Sequence, residues 1–158
     1  MTDRAVFTQE EWTAVLEGPP SAGMIVVTAG RGGTIRETFA IGKAYVEARK
    51  QHGESELLDE IVTAKPQIDH TRYHSYEEIK QHGLEHIRGA VAALREKATP
   101  EEVDGYRRFV LMLADMVASA HREDGVTISE PEKAAIADIT TALGGDGTGS
   151  QQSPGSGA

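Results

Sequence analysis

A serine or threonine followed three residues later by glutamate recurs at Thr8–Glu11, Thr34–Glu37, Ser75–Glu78, Thr99–Glu102 and Ser129–Glu132. Each pair is a capping box. The hydroxyl accepts from the amide three residues on, and the carboxylate reaches back to the amide of the cap residue. Two of the donors that a helix start leaves unpaired are thereby satisfied together. Phe7 and Trp12 bracket the first box at the positions of a hydrophobic staple. Pro100 follows Thr99 at the first helical position, where its missing N–H costs nothing. No segment sustains the apolar–polar alternation of a half-buried strand. A chain punctuated in this way folds as helices.

The apolar spacing agrees. Tyr106, Phe109, Val110, Leu113, Met116, Val117 and Ala120 recur at the i, i+3, i+4 interval of a buried helical stripe. Leu111 and Met112 widen that stripe, which places its helix at the centre of the core. Ile79, Gly83, Ile87, Ala90, Val91 and Leu94 form a second stripe. Segments 35–50, 54–64 and 130–143 read as shorter amphipathic helices, and the run from Met24 to Ala29 as a short buried one. Aromatic residues make up only 5% of the chain, so Ala, Val, Ile and Leu must fill the interior. The expected architecture is an all-α bundle of about six or seven helices.

The final stretch, GGDGTGSQQSPGSGA, holds no large apolar side chain that could repay its ordering entropy. It is read as a flexible tail, residues 144–158, behind a single helical domain, residues 1–143. The formal net charge is −9, an average field that repels a phosphate backbone, so no nucleic-acid partner is expected. There are no cysteines, hence no thiolate nucleophile, disulfide frame or Cys-ligated zinc, which suits a reducing compartment. The longest near-apolar run, Ala22 to Ala29, is too short to span a bilayer. The first residues lack the basic-then-apolar pattern of a secretory signal. A cytoplasmic location is the expectation.

Two segments share one pattern. Residues 26–41 and 117–136 each run from an apolar helix through a small-residue end and a glycine turn into a capping box and a new helix. Glycine supplies the positive φ that ends one helix, and the box starts the next. The second corner, Ala120-His121-Arg122-Glu123-Asp124-Gly125-Val126-Thr127-Ile128-Ser129-Glu130-Pro131-Glu132, resembles the repeated corner of TerB-like (tellurite resistance protein B) domains. That resemblance implies an all-α bundle with an internal pseudo-two-fold repeat of helix–turn–helix corners. It also implies a divalent-metal site built from acids at the corners. Asp124 and Glu132 match the family's acidic positions, and Glu37 corresponds approximately. The first corner carries Gly32 where the family has an aspartate, and the second has an extra residue between Gly125 and Ile128.

Three constellations bear on chemistry. Asp124, with Glu130 or Glu132 closing the shell, could present oxygens to a divalent cation such as Ca²⁺. A full EF-hand loop is excluded, because Ala120 and Arg122 would stand at its first and third ligand positions. The competing reading of these acids is a polar turn plus a capping glutamate. Histidine is concentrated at His70, His74, His82 and His86. His82-Gly83-Leu84-Glu85-His86 has the spacing that sets two imidazoles on one helical face around zinc. It lacks the far acidic ligand and substrate cleft of the peptidases that use this pattern. His70-x₃-His74 with His82-x₃-His86 forms an alternative transition-metal set inside a bundle, and His52 with Glu56 is a fainter pair. Gly30-Arg31-Gly32-Gly33 precedes a helix start but lacks the Lys-Ser/Thr of a phosphate loop. Nothing resembles a nucleophilic triad.

These observations lead to the expectation of a non-enzymatic, cytoplasmic stress- or metal-response module. It would act by binding a protein partner and carry a weak divalent-cation site. The alternative is a His-ligated metalloprotein or metalloenzyme.

Overall fold

The computed structural model describes residues 4–29, 35–50, 56–64, 75–123 and 130–144, and its regular structure is entirely helical. Among the described residues, a 3₁₀ turn at Arg4–Val6 precedes six α-helices: α1 (Gln9–Ala29), α2 (Ile35–Lys50), α3 (Glu56–Thr63), α4 (Tyr76–Lys97), α5 (Pro100–Glu123) and α6 (Glu130–Ala142). The chain is an all-α bundle, as its capping boxes and periodicity predict.

The reciprocal box bonds are present at Thr8–Glu11 and Thr99–Glu102, and the hydroxyl half of the exchange at Ser75–Glu78. Thr8 donates its amide to Glu11 Oε1 at 2.8 Å, and the Glu11 amide returns a bond to Thr8 Oγ1 at 3.1 Å. Thr99 and Glu102 repeat the exchange at 2.9 and 3.2 Å. Ser75 Oγ accepts from the Glu78 amide at 3.1 Å. Thr34 and Ser129 lie outside the described residues. The staple closes with the Phe7 and Trp12 rings 5.7 Å apart, and the Arg4 guanidinium sits 5.6 Å from the centre of the Trp12 ring.

Helix α5 is central, packing against each of the other five. Its stripe of Tyr106, Phe109, Val110, Leu113, Val117 and Ala120 is buried, with Leu111, Met112 and Met116 partly so. Burying a side chain of this size is worth roughly 1.5–3 kcal/mol. Helix α4 turns Gly83, Ile87, Ala90, Val91 and Leu94 inward and has α1 as its main neighbour. The absence of a side chain at Gly83 sets that approach, since a Cβ there would come within 2.8 Å of Ile25 Cδ1.

The run from Met24 to Ala29 is not a separate helix. It is the last part of α1, which continues through Pro19 and Pro20. Proline inside a helix removes the bond to the carbonyl four residues back and usually costs about 3 kcal/mol or more. Here the carbonyl released by Pro19 belongs to Val15, and the buried Tyr106 hydroxyl donates to it at 2.8 Å. Gly18 makes this possible, because a Cβ at that position would collide with the same hydroxyl. Burial raises the Tyr106 pKa well above the usual phenol value, so the donor keeps its proton.

Ion pairs tie the outer edges. Lys97 reaches Glu11 Oε1 at 2.5 Å, and its hydrogen bond holds the Glu11 carboxyl below the usual value. Lys80 joins α4 to α6 through Asp138 at 2.5 Å, and that bond raises the Lys80 pKa. Gly144, at φ 74°, closes α6 in the left-handed region, and its carbonyl accepts from Arg107 Nη2 at 3.1 Å.

Candidate functional site

The acids of the second corner do not converge as far as they are described. Glu130 and Glu132 are two positions apart at the start of α6, so about 200° of helix rotation separates them. Glu132 is fully buried, while the Glu130 side chain is exposed and lies 3.2 Å from Lys133 Nζ. Asp124 lies outside the described residues, as do the two glycine turns of the repeated corners. The helices flanking those turns pack as pairs, α1 on α2 and α5 on α6.

The histidines divide in the same way. His70, His74 and His52 lie outside the described residues. His82 and His86 do stand one turn apart on α4, yet they look to different neighbours. The half-exposed His82 has Nδ1 3.7 Å from Glu85 Oε1 on its own helix. His86, 28% exposed, sets Nε2 3.1 Å from Glu17 Oε2 of α1, while its Nδ1 is enclosed without a hydrogen-bond partner. Beside this pair lies an open pocket of about 460 Å³ lined by Gln9, Glu10, Thr13, Ala14, Glu17 and His86. Among the described residues no three His, Asp or Glu side chains gather as a metal ion would require.

Sequence reasoning missed the surface of α2. Its inner arc, Ala40, Ile41, Ala44 and Tyr45, is buried, and Tyr45 meets Phe109 edge to face with ring centres 5.1 Å apart. Burial drives the Tyr45 pKa upward, against a smaller opposing pull from Arg49. The opposite arc carries Phe39, 66% exposed, and Val46, 49% exposed, with exposed Gly42 and Lys43 between them. A Cβ added to Gly42 would meet nothing within 4 Å. A wheel of residues 35–50 holds the available signal, two apolar arcs on one helix, but it does not say which arc faces the core. Phe39 and Val46 are thus the large apolar side chains described on this helix that the fold leaves exposed.

Among the described residues, no helix is long and apolar enough to cross a membrane. No family model, curated protein or solved structure matches the chain.

Proposed function

We propose that this chain is a non-enzymatic, partner-binding helical module, a TerB-like protein of cytoplasmic stress or metal response. The observation that carries the partner-binding part is the outward arc of α2, where Phe39 and Val46 stand in solvent while that helix's other large apolar side chains described are buried. The repeated glycine-turn corners, residues 26–41 and 117–136, support the family part. A weak divalent-cation site at Asp124, closed by Glu130 rather than by the buried Glu132, belongs to this reading, with Glu130 free to turn from Lys133 on its exposed side chain.

The test is photo-crosslinking in cells from a photoreactive residue at position 39. A discrete partner adduct that Val46→Ser abolishes is the expected result. A chain that yields no discrete adduct from position 39 or 46 overturns the reading. Amide-resolved titration with Ca²⁺ is expected to shift resonances from Asp124 to Glu132.

One observation favours a second reading. The enclosed, unpartnered Nδ1 of His86 is the kind of nitrogen a transition metal takes once a neighbouring group moves. If Zn²⁺ shifts His82–His86 saturably and co-purifies near stoichiometry, the metalloprotein replaces the interaction module.

A further inference from the structure

We infer that the cleft between the first half of α1 and helix α3 binds a guanidinium group. Trp12 is its floor, the Leu16 carbonyl and Glu60 are its acceptors, and Arg4 is the chain's own stand-in for the ligand. This goes beyond the partner-binding reading above and does not use the α2 arc.

The proline pair of α1 supplies the first observation. Each proline removes one N–H from the helix, so two carbonyls four residues back lose their donors. The Val15 carbonyl recovers one from Tyr106. Pro20 offers none to Leu16, and among the described residues no side chain donates to the Leu16 carbonyl. A carbonyl without its helical donor accepts from whatever donor its surroundings admit. Leu16 lines a cleft of about 470 Å³ together with Arg4, Trp12, Asp59, Glu60 and Thr63. That volume falls in the range of about 300–1,000 Å³ that small-ligand sites occupy.

The second observation is the cation already seated there. Arg4 holds Cζ 5.6 Å from the centre of the Trp12 ring, and among the described residues it makes no ion pair. A second cavity of about 560 Å³ shares Arg4, Trp12 and Glu60 with the first, so Arg4 stands between two open spaces and fills neither. Its 3₁₀ turn is closed by a backbone bond from the Phe7 amide to the Arg4 carbonyl at 3.0 Å, so the side chain can leave the ring without unwinding the turn.

The lining selects the ligand. Among the described residues of the two cavities Arg4 is the single base, against the carboxylates of Asp59 and the exposed Glu60. An anion is repelled by that pair, and a neutral amide leaves Glu60 without a counter-charge. A guanidinium is planar and rich in donors, so it stacks on the indole while its N–H groups reach a carbonyl and a carboxylate together. An ammonium is a compact point charge without that plane.

Trp12 is the chain's one tryptophan, so its emission reports the cleft directly. The full chain is titrated at fixed ionic strength with arginine capped as its acetyl N-methylamide, with citrulline and lysine capped alike, and with free arginine. Capped arginine is expected to change Trp12 emission saturably. Capped citrulline, which has nearly the same shape without the charge, is not. Arg4→Ala should tighten capped arginine about threefold or more, and Glu60→Gln should weaken it by as much. Pro20→Ala returns an N–H to the Leu16 carbonyl and should also weaken binding with the helical circular dichroism retained; unchanged binding overturns the carbonyl's role. Capped arginine binding more tightly than free arginine assigns the ligand to a partner's side chain, and the reverse assigns it to a free guanidino compound. Equal or tighter binding of capped lysine or citrulline overturns the guanidinium assignment. No saturable change from any probe, in the wild type or in Arg4→Ala, overturns the site and leaves the partner-binding reading to its own test at positions 39 and 46.

Discussion

Helices α4 and α2 follow the same 3.6-residue period, but they use their apolar residues differently. On α4 the large apolar side chains share one arc, with Ile87 and Leu94 fully buried, and the opposite arc carries Gln81, His82, Glu85, Arg88 and Arg95 in solvent. On α2 Ala40, Ile41, Ala44 and Tyr45 fill the inner arc, while a phenylalanine and a valine face out. Amphipathicity on α4 therefore describes burial within the chain. On α2 it describes two surfaces, one closed by α5 and one left open. The difference is one of consequence as well as of shape. Removing bulk from the closed arcs must cost folding energy, and removing it from the open arc must not.

The largest expected effect lies on α4. Ile87→Ala deletes a fully buried side chain facing α1 and should lower unfolding free energy by about 2–5 kcal/mol in urea titrations. A loss below about 1 kcal/mol would mean that the α1–α4 contact is looser than this packing, and the contrast with α2 would fail.

Next comes the Gly18–Tyr106 contact that carries α1 through its proline pair. Gly18→Ala drives a methyl into the Tyr106 hydroxyl, and Tyr106→Phe leaves the Val15 carbonyl buried without its donor. Each should cost about 1–3 kcal/mol. Both act through one hydroxyl, so the double variant should be clearly less destabilised than the sum of the singles. Simple additivity in that cycle would show that Tyr106 does not bridge the prolines.

That contact also shows where sequence reasoning stops. The capping boxes and the α5 stripe are local patterns, so the number, type and approximate ends of the helices can be read from neighbours a few residues apart. Pro19-Pro20 looks like a break by the same local logic. What overrides it is a hydroxyl supplied from 91 residues away, which no window around the prolines contains. The site was legible to a smaller degree. Glu130 and Glu132 look adjacent in the sequence, but a helix sends them in opposite directions, one buried and one exposed. His82 and His86 share a face as their spacing requires, yet Glu17 of another helix captures one of them. The open arc of α2 was hidden for a different reason. Periodicity finds apolar arcs but does not report how many of them the chain itself covers.

The inner arc of α2 makes an alkaline prediction. Burial raises the pKa of Tyr45 and of Tyr106 above the ordinary phenol value, whereas the unfolded chain titrates near 10. A raised folded-state pKa means a contribution that is complete below pH 10 and lost as pH climbs above it, because the unfolded state releases its protons first. Unfolding free energy should fall by about 1.4 kcal/mol per pH unit for each tyrosine above pH 10. With Tyr73 and Tyr76 replaced by phenylalanine, so that Tyr45 and Tyr106 alone report, tyrosinate absorbance should appear together with the loss of helical circular dichroism, and Tyr106→Phe should flatten the slope. Tyrosinate absorbance from these residues near pH 10, ahead of any loss of helix, would show that the arc is open to water.

The smallest expected effect on folding is also the most informative about α2. Phe39 is 66% exposed, so Phe39→Ala removes few contacts and trades an aromatic residue for a better helix former. Its unfolding free energy should match the wild type within about 0.5 kcal/mol. The same substitution is the one that should weaken a partner docked on this arc most. A residue that matters to binding and not to folding is the signature of an interface anchor. Destabilisation as large as that of Ile87→Ala would reverse the contrast between the two helices. Phe39 would then be held by the chain's own packing, and α2, like α4, would have its apolar residues closed within the fold.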